Sequence, residues 1–126
     1  MTELPRTESA GRRHAILVLG MHRSGTSAVT RLLGLFGADL PKRLMEPNFA
    51  NSAGYWEPAD IVAVHDDMLA ALGSTWDDLA EFPAGWVDTV AAEPFKSQLA
   101  SAFEEAFGSS SLVVLKDPRI CRFTPL

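Results

Sequence analysis

One cysteine, Cys121, excludes an internal disulfide and a cysteine-built zinc site, and so sparse a use of thiols suits a reducing compartment. Long apolar runs are missing as well. None exceeds five residues, and Ala15 to Leu19 is far too short to cross a bilayer, which takes about 20. Arg12-Arg13 precedes that run in the manner of a signal peptide, but the stretch is brief and no small-residue cleavage site follows. Positive charge is scarce: 11 Lys and Arg face 16 Asp and Glu, for a net charge of −5. That balance argues against a general nucleic-acid coat or a binder of anionic membranes. The expectation is a soluble, cytoplasmic protein with no nucleic-acid partner and no membrane span.

What is present suits one globular domain. Hydrophobic residues make up 47% and charged residues 21% of the 126 positions, enough to bury a core. The charges are unevenly placed. Seven of the 11 basic residues fall within the first 43 positions, and Leu44 to Phe95 holds ten acidic residues and no Lys or Arg. Lys96, Lys116, Arg119 and Arg122 close the series. Two readings stand: a solvated acidic surface on the connecting helices, or basic groups that bracket this middle and converge on an anion.

Residues 1–13 read as a loose, flexible tail, and residues 14–126 as part of one domain. Ala15 to Leu19 has the continuous apolar pattern of a parallel strand covered on both faces. Gly20 to Gly25 is a loop, and from Thr26 a helix carries Val29, Leu32, Leu33 and Phe36 inward until Gly37. Pro41 to Pro58 is irregular. A second helix starts at Pro58 with Ile61, Val64 or His65, Met68, Leu69 and Leu72 on its apolar face, and ends at Gly73. Glu93-Pro94 opens a third, burying Phe95, Leu99, Ala102, Phe103 and Ala106 before Gly108. Leu112 to Leu115 is a second strand of the buried type, followed at once by Lys116-Asp117-Pro118-Arg119. Strand, helix, strand predicts a parallel α/β sheet with helical crossovers.

Gly20-Met21-His22-Arg23-Ser24-Gly25-Thr26-Ser27 carries the two glycines of a phosphate loop at the correct interval, between a strand and a helix. Glycines let successive N–H groups turn inward, and the following helix aims its positive end at the same place. Where the nucleoside-triphosphatase motif has Lys then Ser or Thr, this chain has Thr26 then Ser27, and the cation stands within the loop as Arg23. Without that lysine, binding of the β and γ phosphates of ATP loses its main side-chain contact.

Met21 to Leu33, with its Arg-Ser-Gly-Thr-Ser core, resembles the phosphosulfate loop of sulfotransferases that use 3′-phosphoadenosine 5′-phosphosulfate. Leu115 to Arg119 is similar to that family's strand followed by Lys-Asp-Pro. Asn51 to Glu57 (Asn-Ser-Ala-Gly-Tyr-Trp-Glu) is similar to a segment of its bacterial members. The resemblance covers residues 14–126 in order. It implies a P-loop NTPase-like, three-layer α/β/α fold and transfer of a sulfuryl group to a hydroxyl or amine of a small-molecule or carbohydrate acceptor. His22, Arg23, Ser24, Gly25, Thr26 and Ser27 become cofactor-binding residues, Arg23 and Lys116 catalytic cations, and no metal is called for. The chemistry agrees: negative charge grows on the bridging oxygen, and losing one donor aimed at it costs about 3–4 kcal/mol. Gly20 and Lys116 both lie at carboxyl ends of strands, the edge of a parallel sheet where ligands bind.

Glu57 is the first candidate for the general base, since it ends the matched Gly-Tyr-Trp-Glu segment in an irregular loop. The other reading has it charging the first turn of the helix at Pro58. Glu46 is the alternative. His65 reads as a buried, satisfied histidine, Asp66-Asp67 and Asp77-Asp78 as solvated faces, and Cys121 as a buried thiol. Arg119 either touches the cofactor or pairs with a neighbouring acid. The three tryptophans read first as core or wall, and Trp56, beside Glu57, is the one that would stand near a sugar or aromatic acceptor. The family's second signature, a further strand followed by Arg and then Ser that holds the 3′ phosphate, has no counterpart before Leu126. From this we expect a fragment truncated after its second strand, inactive in isolation, with an open edge on that strand. The alternatives are a phosphate-loop kinase or nucleoside triphosphatase, and a non-catalytic remnant.

Overall fold

The computed structural model describes residues 11–126. Strand β1 (His14–Val18) leads through a loop to helix α1 (Thr26–Leu35), and helices α2 (Ala59–Ala71) and α3 (Glu93–Phe107) follow. Strand β2 (Leu112–Lys116) comes next, and a single helical turn, α4 (Ile120–Phe123), completes the order. Two 3-10 turns, Trp86–Asp88 and Val90–Ala92, lead into α3. The architecture is mixed α/β with a two-stranded parallel sheet, His14 opposite Leu112 through Val18 opposite Lys116. Most of the expected tail, residues 1–10, lies outside the described residues. Arg13 is tied down: its guanidinium pairs with Glu104 at 2.8 Å and donates to the carbonyl of Gly108, joining the start of β1 to the end of α3.

Strand β2 is the centre of the fold because its alternate side chains bury in opposite directions. Val113 packs with Ile61 of α2 and with Ala102, Ala106 and Phe107 of α3. Val114, facing the other way, packs with Val18, Ala38 and the partly buried Leu33 of α1. Helices therefore cover both faces of β2. A third cluster, Met68, Leu69 and Phe123 with Trp86 and Phe95 against it, seats α4 and the 3-10 turns on α2. No helix among the described residues is long and apolar enough to cross a membrane.

Three expectations are corrected. β1 is not covered on both faces: Ala15 and Leu17 are exposed, Leu17 at 48%, because α1 and α3 close over β2 instead. The apolar stripe of α1 is likewise largely open, with Val29 49%, Leu32 52% and Phe36 80% exposed and only Leu33 partly buried, while Thr26 and Thr30 are buried. The Thr30 hydroxyl is satisfied by donating to the Thr26 carbonyl at 2.8 Å, which lets a polar side chain bury in the helix. Finally, the second edge of β2 is not bare. After α1 the chain returns along it, where the Asp39 N–H donates to Leu112 and the Val114 N–H to the Asp39 carbonyl.

Candidate functional site

The loop after β1 is shaped by steric necessity. A Cβ at Gly20 would stand 2.6 Å from Thr26 Cγ2 and 2.8 Å from Ser24 Oγ, so only glycine lets the chain fold back on the start of α1. Arg23 (φ 60°) and Gly25 (φ 85°) both take left-handed conformations, and the Ser24 hydroxyl donates to the Met21 carbonyl at 2.5 Å across the curl. Gly25 is the N-cap of α1 and offers no side chain to it. The first N–H groups of a helix have no partner within it, so this end of α1 is a natural place for an anion.

Lys116, the last residue of β2, reaches under this helix start. Its ammonium donates to Glu57 Oε1 at 2.5 Å, to the Tyr55 carbonyl at 3.1 Å and to Ser27 Oγ at 3.3 Å. The Ser27 hydroxyl itself donates to Tyr55 O at 3.1 Å. Lys116 is 3% and Glu57 2% exposed, so the pair is nearly closed to water and meets the cleft only at its surface. Burial pushes the Glu57 carboxyl above its ordinary range, and the Lys116 ammonium opposes that without cancelling it.

Grip on Lys116 from both Tyr55 and Glu57 has a backbone consequence. Trp56, between them, adopts φ 60°, a conformation that costs a bulky residue roughly 1–2 kcal/mol. Its ring lies beneath the Arg31 guanidinium, 4.8 Å from Cζ to centroid, and against Gly54. Arg23 and Trp56 are the two non-glycine residues with positive φ among the described residues.

Behind Lys116 lies a buried polar network. Arg119 Nη1 pairs with Asp117 at 3.0 Å and lies 3.6 Å from Glu57 Oε2, while its Nε pairs with Asp66 at 2.7 Å. The other oxygen of Asp117 meets His65 Nδ1 at 2.6 Å. Burial alone pushes the Asp117 carboxyl up, but His65 and Arg119 outweigh it and hold it below the ordinary carboxylate range. His65 is thus buried and satisfied, and Arg119 is committed to ion pairs. Asp66 is no simple solvated face, since it is one of those partners.

Of the sequence-predicted site residues, His22, Arg23, Gly25, Thr26, Ser27, Glu57 and Lys116 line one open cleft of about 770 Å³, and Ser24, Glu46 and Arg119 do not. Ser24 shapes the loop through its bond to Met21. His22 packs edge-on against Trp76 at 4.8 Å, and partial burial, with Arg119 nearby, lowers its pKa from the ordinary value. Glu46 is exposed and lines a different depression with Lys42 and Arg43. Cys121 is exposed, contrary to expectation, because Ile120 and Phe123 take the inward side of α4. Sequence reasoning missed three contributors: Asn51, the Tyr55 carbonyl and Arg31. Arg31 stands one helical turn beyond Ser27 with no acid nearby on α1, a signal that was available. The carbonyl carried none, because any residue type supplies one.

No family model, curated protein or solved structure matches this chain.

Proposed function

We propose that this chain provides a phosphate-loop site of the sulfotransferase type, within a P-loop NTPase-like α/β/α fold. It binds 3′-phosphoadenosine 5′-phosphosulfate and passes the sulfuryl group to a hydroxyl or amine. One observation carries the reading. The three segments that bear the family resemblance, 21–33, 51–57 and 115–119, lie far apart in sequence, and each contributes residues to the lining of a single cleft. The cleft's fit to such a ligand rests on its chemistry. Its volume is typical of small-molecule sites, and its lining holds three cations, Arg23, Arg31 and Lys116, against one carboxylate, Glu57.

The bound cofactor supplies the sulfuryl group and a phosphate that departs with the bond's electron pair. The loop and the start of α1 hold the 5′ phosphate through N–H groups, that of Ser27 among them, and the Thr26 hydroxyl. Arg23, on the exposed wall, and Lys116, in the floor, are fixed cations where negative charge grows. Glu57 keeps the Lys116 ammonium in place and is the cleft's one carboxylate. It takes the acceptor's proton as the new S–O or S–N bond forms, and its raised pKa improves it as a base.

Isothermal titration calorimetry of the whole chain with adenosine 3′,5′-bisphosphate and with Mg²⁺–ATP tests the reading. The bisphosphate should bind more tightly, without metal, and Arg23→Ala should weaken it at least tenfold. In a transfer assay with radiolabelled phosphosulfate, on an intact enzyme that also carries the Arg and Ser of the second signature, Arg23→Ala should reduce turnover by about 100-fold or more. Tighter, metal-dependent binding of ATP would make the site that of a kinase or triphosphatase, and bisphosphate binding by such an intact enzyme without turnover would favour a non-catalytic role.

A further inference from the structure

The protein is acidic overall, yet its main cleft has an excess of positive charge, and one cation there has no work assigned to it. Arg31 projects from the second turn of α1. That helix (TSAVTRLLGL) contains no acidic residue, and the neighbours of Arg31 three and four positions away are Ser27, Ala28, Gly34 and Leu35. Glu57, the cleft's carboxylate, is already engaged by Lys116 and faces Arg119. Among the described residues Arg31 has no ion-pair partner, a state it shares with Arg12, Arg23, Lys42 and Arg122, and of these five only Arg23 and Arg31 line the cleft. Arg31 is held in the cleft wall by the Trp56 ring, and the backbone at Trp56 is left-handed. The indole therefore holds in the cleft wall an exposed guanidinium that no carboxylate answers, free to meet an anion.

We propose that Arg31 is a second anion contact of the cleft, taking a phosphate, sulfate or carboxylate group of the ligand other than the one held by the loop. Arginine suits the task. Its planar donors match such groups two at a time, and its flat face stays on the indole while its edge binds. The ligand is therefore at least doubly anionic. Resting on the proposed sulfotransferase reading, this second group is either the 3′ phosphate of the nucleotide or a charged substituent of the acceptor.

Phenylglyoxal labelling of the full chain, mapped by peptide mass spectrometry, separates these cases and has a readout independent of turnover. Arg23 and Arg31 are the reporters, and the exposed Arg12 is the internal control. Inorganic phosphate should slow labelling of both reporters and leave Arg12 unchanged. Adenosine 5′-phosphate should protect Arg23 alone. If adenosine 3′,5′-bisphosphate protects Arg31 as well, the 3′ phosphate is the second group, and Arg31→Gln should then weaken the bisphosphate tenfold or more without affecting the monophosphate. If phosphate protects Arg31 but the bisphosphate protects only Arg23, the acceptor carries the second group. If phosphate protects both arginines and neither nucleotide does, the sulfotransferase reading fails while the anion contact stands. Labelling of Arg31 at an unchanged rate with phosphate and with the bisphosphate overturns the proposal. Folding of Arg31→Gln is checked by circular dichroism, and Arg31→Lys, which keeps the charge without the planar fork, should recover only part of the affinity.

Discussion

Replacing Lys116 by methionine removes a charge from beneath the cleft and keeps most of the side chain's volume. The cost falls on Glu57. Its carboxylate, 2% exposed, loses the ammonium at 2.5 Å, and among the described residues the other cation within reach is Arg119 at 3.6 Å, already shared with Asp117 and Asp66. Glu57 is above its ordinary pKa even with Lys116 present, so in the variant it rises further and takes up a proton rather than stay charged. A folded-state pKa above the unfolded one means that the native state binds more protons in the window between them. Stability is therefore retained below the unfolded value of 4.5 and lost as pH climbs through the folded one. Protonation limits the loss: at pH 7 it cannot exceed the cost of keeping the carboxyl neutral from 4.5 upwards, about 3 kcal/mol at 1.36 kcal/mol per pH unit. Urea unfolding followed by tryptophan fluorescence should show Lys116→Met about 2–3 kcal/mol less stable than the parent at pH 7 and much closer to it at pH 4.5. Adding Glu57→Gln should restore most of the difference at pH 7. An equal loss at both pH values, with no rescue by the second change, would refute the argument and mean that Lys116 contributes packing and not charge compensation.

Asp117→Asn should cost about 3 kcal/mol at neutral pH, because it removes the negative partner of buried Arg119 and His65. Since Asp117 is held below its ordinary pKa, its contribution is present above pH 3.8 and lost as pH falls through the folded value, which an acid titration of the parent and the variant will show. The imidazole of His22 should titrate below 6.5 in the free protein and move upward when a phosphate dianion enters the loop; a histidine NMR titration at or above 6.5 without anion would contradict this. Leu35→Glu and Phe36→Ser, at exposed apolar positions of α1, should each change stability by less than about 0.5 kcal/mol in urea unfolding.

The order of elements was legible because punctuation and period agreed. Gly37, Gly73 and Gly108 follow their helices by one or two residues, and Pro58 and Pro94 stand at helix starts. Lys116 and the phosphate loop could be brought together from sequence because both follow strands of one parallel sheet. Burial was harder to read. Hydrophobic periodicity reports which face of α1 is apolar, but the packing of α1 onto β2 buried Thr30, half-buried Leu33 and left Val29, Leu32 and Phe36 open. The turn α4 is too short to show a period, which is why the side chain of Cys121 was misplaced. Side-chain identity also says nothing of a carbonyl acceptor such as Tyr55 O, or of the left-handed turn at Trp56 that two simultaneous bonds to Lys116 require.

The pairing of β1 with β2 also has a consequence in time. Every pair in the sheet joins residues 98 positions apart, as Leu112 is from His14. A ribosome adds about 5–20 residues per second, so β1 waits roughly 5–20 s from its synthesis until its partner is made. Throughout that interval the apolar run from Ala15 to Leu19 has neither a neighbouring strand nor a covering core, and the entropy of closing so long a loop slows the pairing further. Lys116 cannot meet Ser27 any sooner. The nascent chain thus carries its glycine loop half-built until β2 has been made, and its yield in a cell depends on what shields that first strand meanwhile.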